Sequence, residues 1–255
     1  LFAGLATAIG GGIAFFAKRT NTTFLSYSLG FSAGVMIYIS FTEILGEANS
    51  VIRSHYTENL SAWLTFLFFI TGVFITALID KLVPSRENPH EMRSLEQMEN
   101  GGSCRGRRLL RVGIFTAVAI AIHNFPEGIA VFAAGMTDME IAVPVAVAIA
   151  IHNIPEGIAV SVPIFYATGN RKKAFWLSVL SGLAEPLGAV LAFLVLMPFL
   201  NDMLMAIIFG IIAGIMVFIS LDELLPTARE YGEHHLSIYG LILGMLLMAS
   251  TLIIL

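Results

Sequence analysis

The chain has 255 residues, of which 57% are apolar and a further 23 are glycine. Charged residues make up 13%, about half the ~25% usual in soluble domains, and mean hydropathy is +0.84. This composition excludes an ordinary soluble domain and a disordered tail, and a net charge of −4 leaves no basic footprint for nucleic acid.

What remains is an all-α polytopic membrane protein. A spanning helix needs about 20 residues. Eight apolar stretches of that kind follow one another at roughly 1–17, 24–45, 61–83, 110–135, 140–166, 174–199, 203–225 and 238–255. They fill residues 1–255 as a single transmembrane domain. The first lacks a basic n-region and a small-residue cleavage site, so it reads as a span and not as a signal peptide. The longest connection, about 84–108, mixes both charge signs with Pro84, Pro89, Gly101 and Gly102 and reads as a mobile cytoplasmic loop. Its His90 and Cys104 read as loop residues, as do His234 and His235 near the last span. Cys104 is the only cysteine, which excludes a disulfide framework and a cysteine-based zinc site.

Basic residues set the expected orientation. Of the 14 lysines and arginines, 13 fall in the loops joining spans 1–2, 3–4, 5–6 and 7–8, and Arg53 alone falls on the other side. Positive loops stay cytoplasmic. Both termini are therefore expected on the extracellular or periplasmic side of a cell (inner) membrane, crossed in multiple passes.

The strongest internal feature is a duplication. Residues 117–131 read AVAIAIHNFPEGIAV and residues 146–160 read AVAIAIHNIPEGIAV, differing only at Phe125 and Ile154. The copies sit in consecutive spans, 4 and 5, which run antiparallel. A second, weaker repeat relates span 2 to span 7. Residues 30–48 and 210–228 share nine of 19 positions at an offset of 180. Two such inverted-repeat pairs, spans 4/5 and 2/7, are the pattern of an alternating-access transporter.

Ionisable groups at bilayer depth cost several kcal/mol unless paired or solvated. Span 4 carries His123, Asn124 and Glu127, span 5 carries His152, Asn153 and Glu156, and span 6 carries Glu185. His and Glu at i and i+4 share one helix face. Pro126 and Pro155 free the carbonyls of Ile122 and Ile151. Imidazole, amide and carboxylate donors together suit a divalent first-row metal. The set is large enough for two adjacent sites. One would use His123, Glu127, His152 and Glu156. The other would use Asn124, Asn153 and Glu185, with the two motif glutamates shared as bridges. A hydrogen-bonded cluster of protonated glutamates is the alternative, and duplication of the whole HNxPEG motif weighs against it. Glu43 at the end of span 2 and Asp222 and Glu223 at the end of span 7 are candidate pathway residues near the outer and inner faces.

HNFPEG and HNIPEG in consecutive spans, followed by SGLAEPLGA at 181–189, resemble the ZIP (Zrt/Irt-like) zinc and iron permeases, and among them the bacterial ZupT-type branch. The resemblance covers essentially the whole chain. It implies eight spans with both termini outside, and a binuclear metal site at His123, Asn124, Glu127, His152, Asn153, Glu156 and Glu185. It also implies import toward the cytoplasm and an exit lined by Asp222 and Glu223. The long loop lacks the histidine-rich run of many members.

The expected function is divalent-metal import by alternating access, with zinc first and iron, manganese or cadmium as further cargo. No prosthetic group is expected. The expected partners are metal ions and the lipid bilayer, with a homodimer as the candidate assembly. The competing readings are an intramembrane metal-dependent enzyme and a proton-linked carrier of an organic solute. The first lacks an HExxH helix, and the second lacks a polar set shaped for a solute.

Overall fold

The computed structural model describes residues 1–13, 15–16, 21–82, 101–137, 139–196, 201–231 and 234–254. Inside the helices a subset of side chains also lies outside the described ones, those of His123 and His152 among them. The described residues form helices and no strands.

The helices are α1 (Phe2–Ile13), α2 (Thr22–Ile39), α3 (Leu45–Arg53), α4 (Glu58–Leu82), α5 (Gly101–Thr137), α6 (Met139–Thr168), α7 (Arg171–Gly182), α8 (Ala184–Leu191), α9 (Asp202–Ile219), α10 (Leu225–Tyr231) and α11 (His234–Ile254). Single π-helical turns, Ser40–Ile44 and Ser220–Leu224, join α2 to α3 and α9 to α10 without a break. A third π turn, Ala192–Leu196, extends α8. The described residues therefore make eight rods in the expected order. Six segments are long and apolar enough to cross a membrane: Thr22–Arg53, Glu58–Leu78, Leu109–Ile129, Arg171–Leu194, Asp202–Glu230 and His235–Ile253. The chain is a multi-pass membrane protein.

Several rods differ in length from their apolar runs. Span 2 continues to Arg53 because its last turns are amphipathic. Ala48 and Ile52 pack with Ala206, Leu64 and Phe68, while Glu47 and Arg53 stay exposed. Such a segment helps bury an apolar stripe but lowers a hydropathy average. Helix α5 starts at Gly101, within the stretch read as loop. That stretch has no proline after Pro89 and leads into RRLLR at 107–111, whose arginines and leucines favour a helix. The rest of the expected loop, 83–100 and with it His90, lies outside the described residues. Helix α1 has 12 residues, about 18 Å at 1.5 Å per residue, shorter than the ~30 Å hydrocarbon core.

Asparagine caps begin three rods. Asn21, Asn170 and Asn201 accept from the backbone N–H of Phe24, Lys173 and Leu204 at 3.0, 3.0 and 2.9 Å. Between α6 and α7, Gly169 sits at φ 70°, a left-handed conformation that glycine adopts without cost. It lets the chain reverse in two residues.

Helix α2 packs against α11, and α9 packs against α4. Both contacts are made backbone to backbone through glycine. A methyl group on Gly34 would overlap the Leu241 carbonyl, and one on Gly214 would overlap the Phe69 carbonyl. Gly244 faces the Phe31 carbonyl, and Gly72 faces that of Ile211. Residue numbers rise together across each pair, so α2 and α11 run parallel, as do α9 and α4. Parallel neighbours separated by an odd number of rods are what successive crossings require. The outer faces of α4 and α11 are apolar and exposed, with Trp63, Phe66 and Phe74 on one and Leu243, Leu246 and Ile253 on the other. The other main group holds α1, α5, α6, α7 and α8, with α6 touching α1, α2, α5 and α7.

Gly34→Ala should therefore cost about 1–3 kcal/mol, the usual penalty of overpacking. Gly46→Ala, where nothing lies within 4 Å of the added carbon, should cost nothing. Thermal unfolding in detergent compares the two. Equal midpoints would remove the close α2–α11 contact from the account.

Candidate metal centre

Helices α5 and α6 bring the two motif copies side by side, and α1 and α8 clamp them from outside. Gly128 on α5 faces the Glu185 carbonyl, and Gly188 on α8 faces the Phe125 carbonyl. On the other side Gly157 on α6 faces the Thr7 carbonyl, and Gly10 on α1 faces that of Ile154. Small residues permit this approach in a membrane bundle. The approach determines which polar side chains meet.

The meeting residues are buried. Asn124 and Asn153 have no exposed surface, and Glu156, Glu185 and Glu127 are 1%, 2% and 7% exposed. The Asn153 amide donates to Glu185 Oε2 at 2.9 Å and to the Ala3 carbonyl at 2.9 Å. Asn124, with its amide oriented by the hydrogen-bond network, donates to Glu156 Oε2 at 3.1 Å and to the Ile120 carbonyl at 3.2 Å. Each motif asparagine thus steadies a carboxylate on a different rod. Asn153 Oδ1 is buried and accepts no hydrogen bond among the described residues. An amide oxygen in that state is a ready donor atom for a cation.

Glu127, Glu156 and Glu185 are accordingly three buried carboxylates on three rods. Among the described residues no lysine or arginine is fully buried, and Arg111 near the start of α5 is half-buried. The side chains of His123 and His152 lie outside the described ones. Among the described residues, no three His, Cys, Asp or Glu side chains stand together as a finished ligand group. The contacts that join the rods run through the asparagines.

The candidate pathway residues fall on the two π turns. Glu43 is exposed, Asp222 is half-buried and Glu223 is 3% exposed. Ser40 and Ser220 donate to the Met36 and Met216 carbonyls at 2.6 and 2.7 Å. Such back-bonding bends helices. His235 is exposed and stacks on Tyr239, and the side chains of Cys104 and His234 lie outside the described ones.

Two participants were not anticipated. Helix α1 supplies the Ala3 carbonyl to Asn153, and Ser32 on α2 donates to the Pro155 carbonyl at 2.8 Å. The legible signal for α1 was its small-residue face, Ala3, Gly4, Thr7, Gly10 and Gly11, all buried. For Ser32 there was none beyond a hydroxyl in an apolar run.

A family model described as ZIP Zinc transporter matches residues 1–251. The zinc transporter ZupT of Streptococcus mutans is 57% identical over 252 residues, covering 99% of this chain and 94% of that protein. The zinc transporter ZupT of Oceanobacillus iheyensis is 57% identical over 256 residues, covering 100% and 96%. That of Lysinibacillus sphaericus is 58% identical over 256 residues, covering 100% and 95%. The family and these relatives are named as transporters, which sets aside the intramembrane enzyme. With its duplicated HNxPEG helices and the family match over nearly its whole length, this chain belongs to the ZIP zinc transporter family.

Proposed function

We propose that this protein imports zinc across the cell (inner) membrane toward the cytoplasm by alternating access, through a binuclear site on spans 4, 5 and 6. The observation that carries the reading is the Asn153–Glu185 contact. It ties the span 5 motif to the third carboxylate on span 6, inside a bundle with no fully buried lysine or arginine among the described residues. The first ion is held by His123, Glu127, His152 and Glu156. The second is held by Asn124, Asn153 and Glu185, with Glu127 and Glu156 bridging. Zinc is the first cargo, and iron, manganese and cadmium suit the same mixed donors. In this reading both termini lie outside, which the distribution of basic residues supports.

A hydrated ion arrives near Glu43, exchanges water for the span 4 and 5 donors, and leaves past Asp222 and Glu223. The group α1, α5, α6, α7 and α8 rocks against the group α2, α4, α9 and α11. Support for inverted repeats comes from the matched contacts: α2 with α11 and α9 with α4 on one side, α1 with α6 and α8 with α5 on the other. Ligands must be deprotonated to bind metal, so acidification lowers affinity.

Glu127→Gln and Glu156→Gln each keep one acceptor oxygen but lose a charge next to both ions. Removing one partner of a buried charge pair costs roughly 3–5 kcal/mol. Initial uptake into vesicles should fall more than tenfold for zinc, iron and manganese alike. Asn124→Ala and Asn153→Ala remove neutral donors to one ion and should cost less. His123→Ala and His152→Ala should hurt zinc more than manganese, because imidazole favours the later metals. Wild-type uptake by both glutamine variants, with dead asparagine variants, would refute the bridging assignment.

The two pathway carboxylates should separate kinetically. Glu43→Ala should lower capture at low zinc, and Glu223→Ala should slow release into the vesicle lumen on the cytoplasmic side. Stopped-flow uptake with a trapped zinc dye distinguishes the steps. Identical effects on equilibrium binding, without a kinetic difference, would refute gates at opposite faces.

A further inference from the structure

Helix α1 carries no residue of the assigned site, yet its contacts repeat those of the rod that carries Glu185. Ala3 offers its carbonyl to Asn153, and the Ser181 carbonyl lies 3.5 Å from a terminal atom of the Asn124 side chain. Gly4 and Gly182 face one another's carbonyls. Gly10 meets Ile154 where Gly188 meets Phe125, and Thr7 meets Gly157 where Glu185 meets Gly128. Each α1 residue and its counterpart on α7–α8 are separated by the same sequence offset. A local two-fold relation therefore exchanges α5 with α6 and α1 with α7–α8. It places Thr7 opposite Glu185.

The side chains obey the same relation. The Glu185 Cβ comes into contact range of the space beside Gly4, and the Thr7 Cβ and Oγ1 crowd the space beside Gly182. Thr7 has no exposed surface, and its Oγ1 makes no hydrogen bond among the described residues. Buried hydroxyls are normally satisfied. In this bundle Thr71, Thr76 and Ser220 donate to the carbonyl four residues back. For Thr7 that carbonyl is Ala3, which already receives Asn153 Nδ2. The hydroxyl is left for something else.

We propose that Thr7 is a further specificity-determining residue, whose hydroxyl supplies the sixth donor to the second ion. This rests on the binuclear reading above. That ion has five donors, from Asn124, Asn153, Glu127, Glu156 and Glu185, and the two-fold partner of Glu185 completes an octahedron of oxygens. An all-oxygen octahedral site suits manganese better than zinc. A carboxylate at the same point would add a fourth negative charge and match two divalent ions. The neutral hydroxyl leaves the second ion undercompensated and able to depart.

The test uses purified full-length protein, with manganese binding followed by the EPR signal of the free ion and zinc binding by equilibrium dialysis. Thr7→Val keeps the shape and removes the oxygen. It should weaken manganese binding about tenfold, the scale of losing one supporting group at a metal site, and leave one zinc tightly held. Thr7→Ser should bind both metals as wild type does. Thr7→Asp, close in volume, should tighten manganese binding and slow vesicle uptake. Unchanged manganese affinity in Thr7→Val would overturn the proposal. So would equal losses in Thr7→Ser and Thr7→Val, because packing alone would then explain both. Wild-type protein that binds and carries no zinc would overturn the transporter reading itself, and the Thr7 assignment with it.

Discussion

At the centre of this bundle two proline-bearing helices are held by neighbours that approach until backbone touches backbone. Gly128, Gly157, Gly10 and Gly188 make that approach possible, each facing a carbonyl of the opposite rod where a methyl group would overlap. The polar contacts depend on it. Asn153 reaches both Ala3 and Glu185 because α1 and α8 lie that close to α6 and α5. In a bilayer, lipid tails are as apolar as leucine, so close packing and interhelical hydrogen bonds must supply the association. The glycines and the asparagines therefore work as one system.

That system gathers charge of one sign. Glu127, Glu156 and Glu185 are withdrawn from solvent, and no lysine or arginine among the described residues is fully buried with them. Like charges in a low dielectric repel strongly, and such groups persist only with protons or cations nearby. A resident arginine would satisfy the charge permanently and close the site to cargo. Asparagine amides instead orient the carboxylates without neutralising them. Under the proposed function, protons and metal would compete for these carboxylates.

The two π turns show how related positions acquire unequal surroundings. A π turn inserts one residue into an α-helix and occurs often at functional positions. Here Ser40–Ile44 and Ser220–Leu224 place Glu43 and Glu223 at matching points, with matching serine back-bonds. Yet Glu43 is exposed and Glu223 is buried. The downstream helices account for part of the difference: α3 leans on α4 and α9, whereas α10 lies against α2. One π turn leaves its carboxylate open to the surroundings where the other is closed over.

Composition and periodicity alone determined that the chain is helical and membrane-spanning, because long apolar runs leave the backbone no other way to satisfy its hydrogen bonds in lipid. The duplicated HNxPEG motif named Asn124, Glu127, Asn153 and Glu156, since buried polar groups in such runs are too costly to be incidental. Rod ends were less legible. The amphipathic turns to Arg53 and the start of α5 at Gly101 depend on packing and local propensity that a hydropathy average hides. Only the tertiary structure decided that α1 belongs to the centre, that Ser32 reaches Pro155, and that Thr7 stands opposite Glu185. These are contacts between segments more than a hundred residues apart, fixed by which glycine faces meet. No spacing within a single helix records that choice.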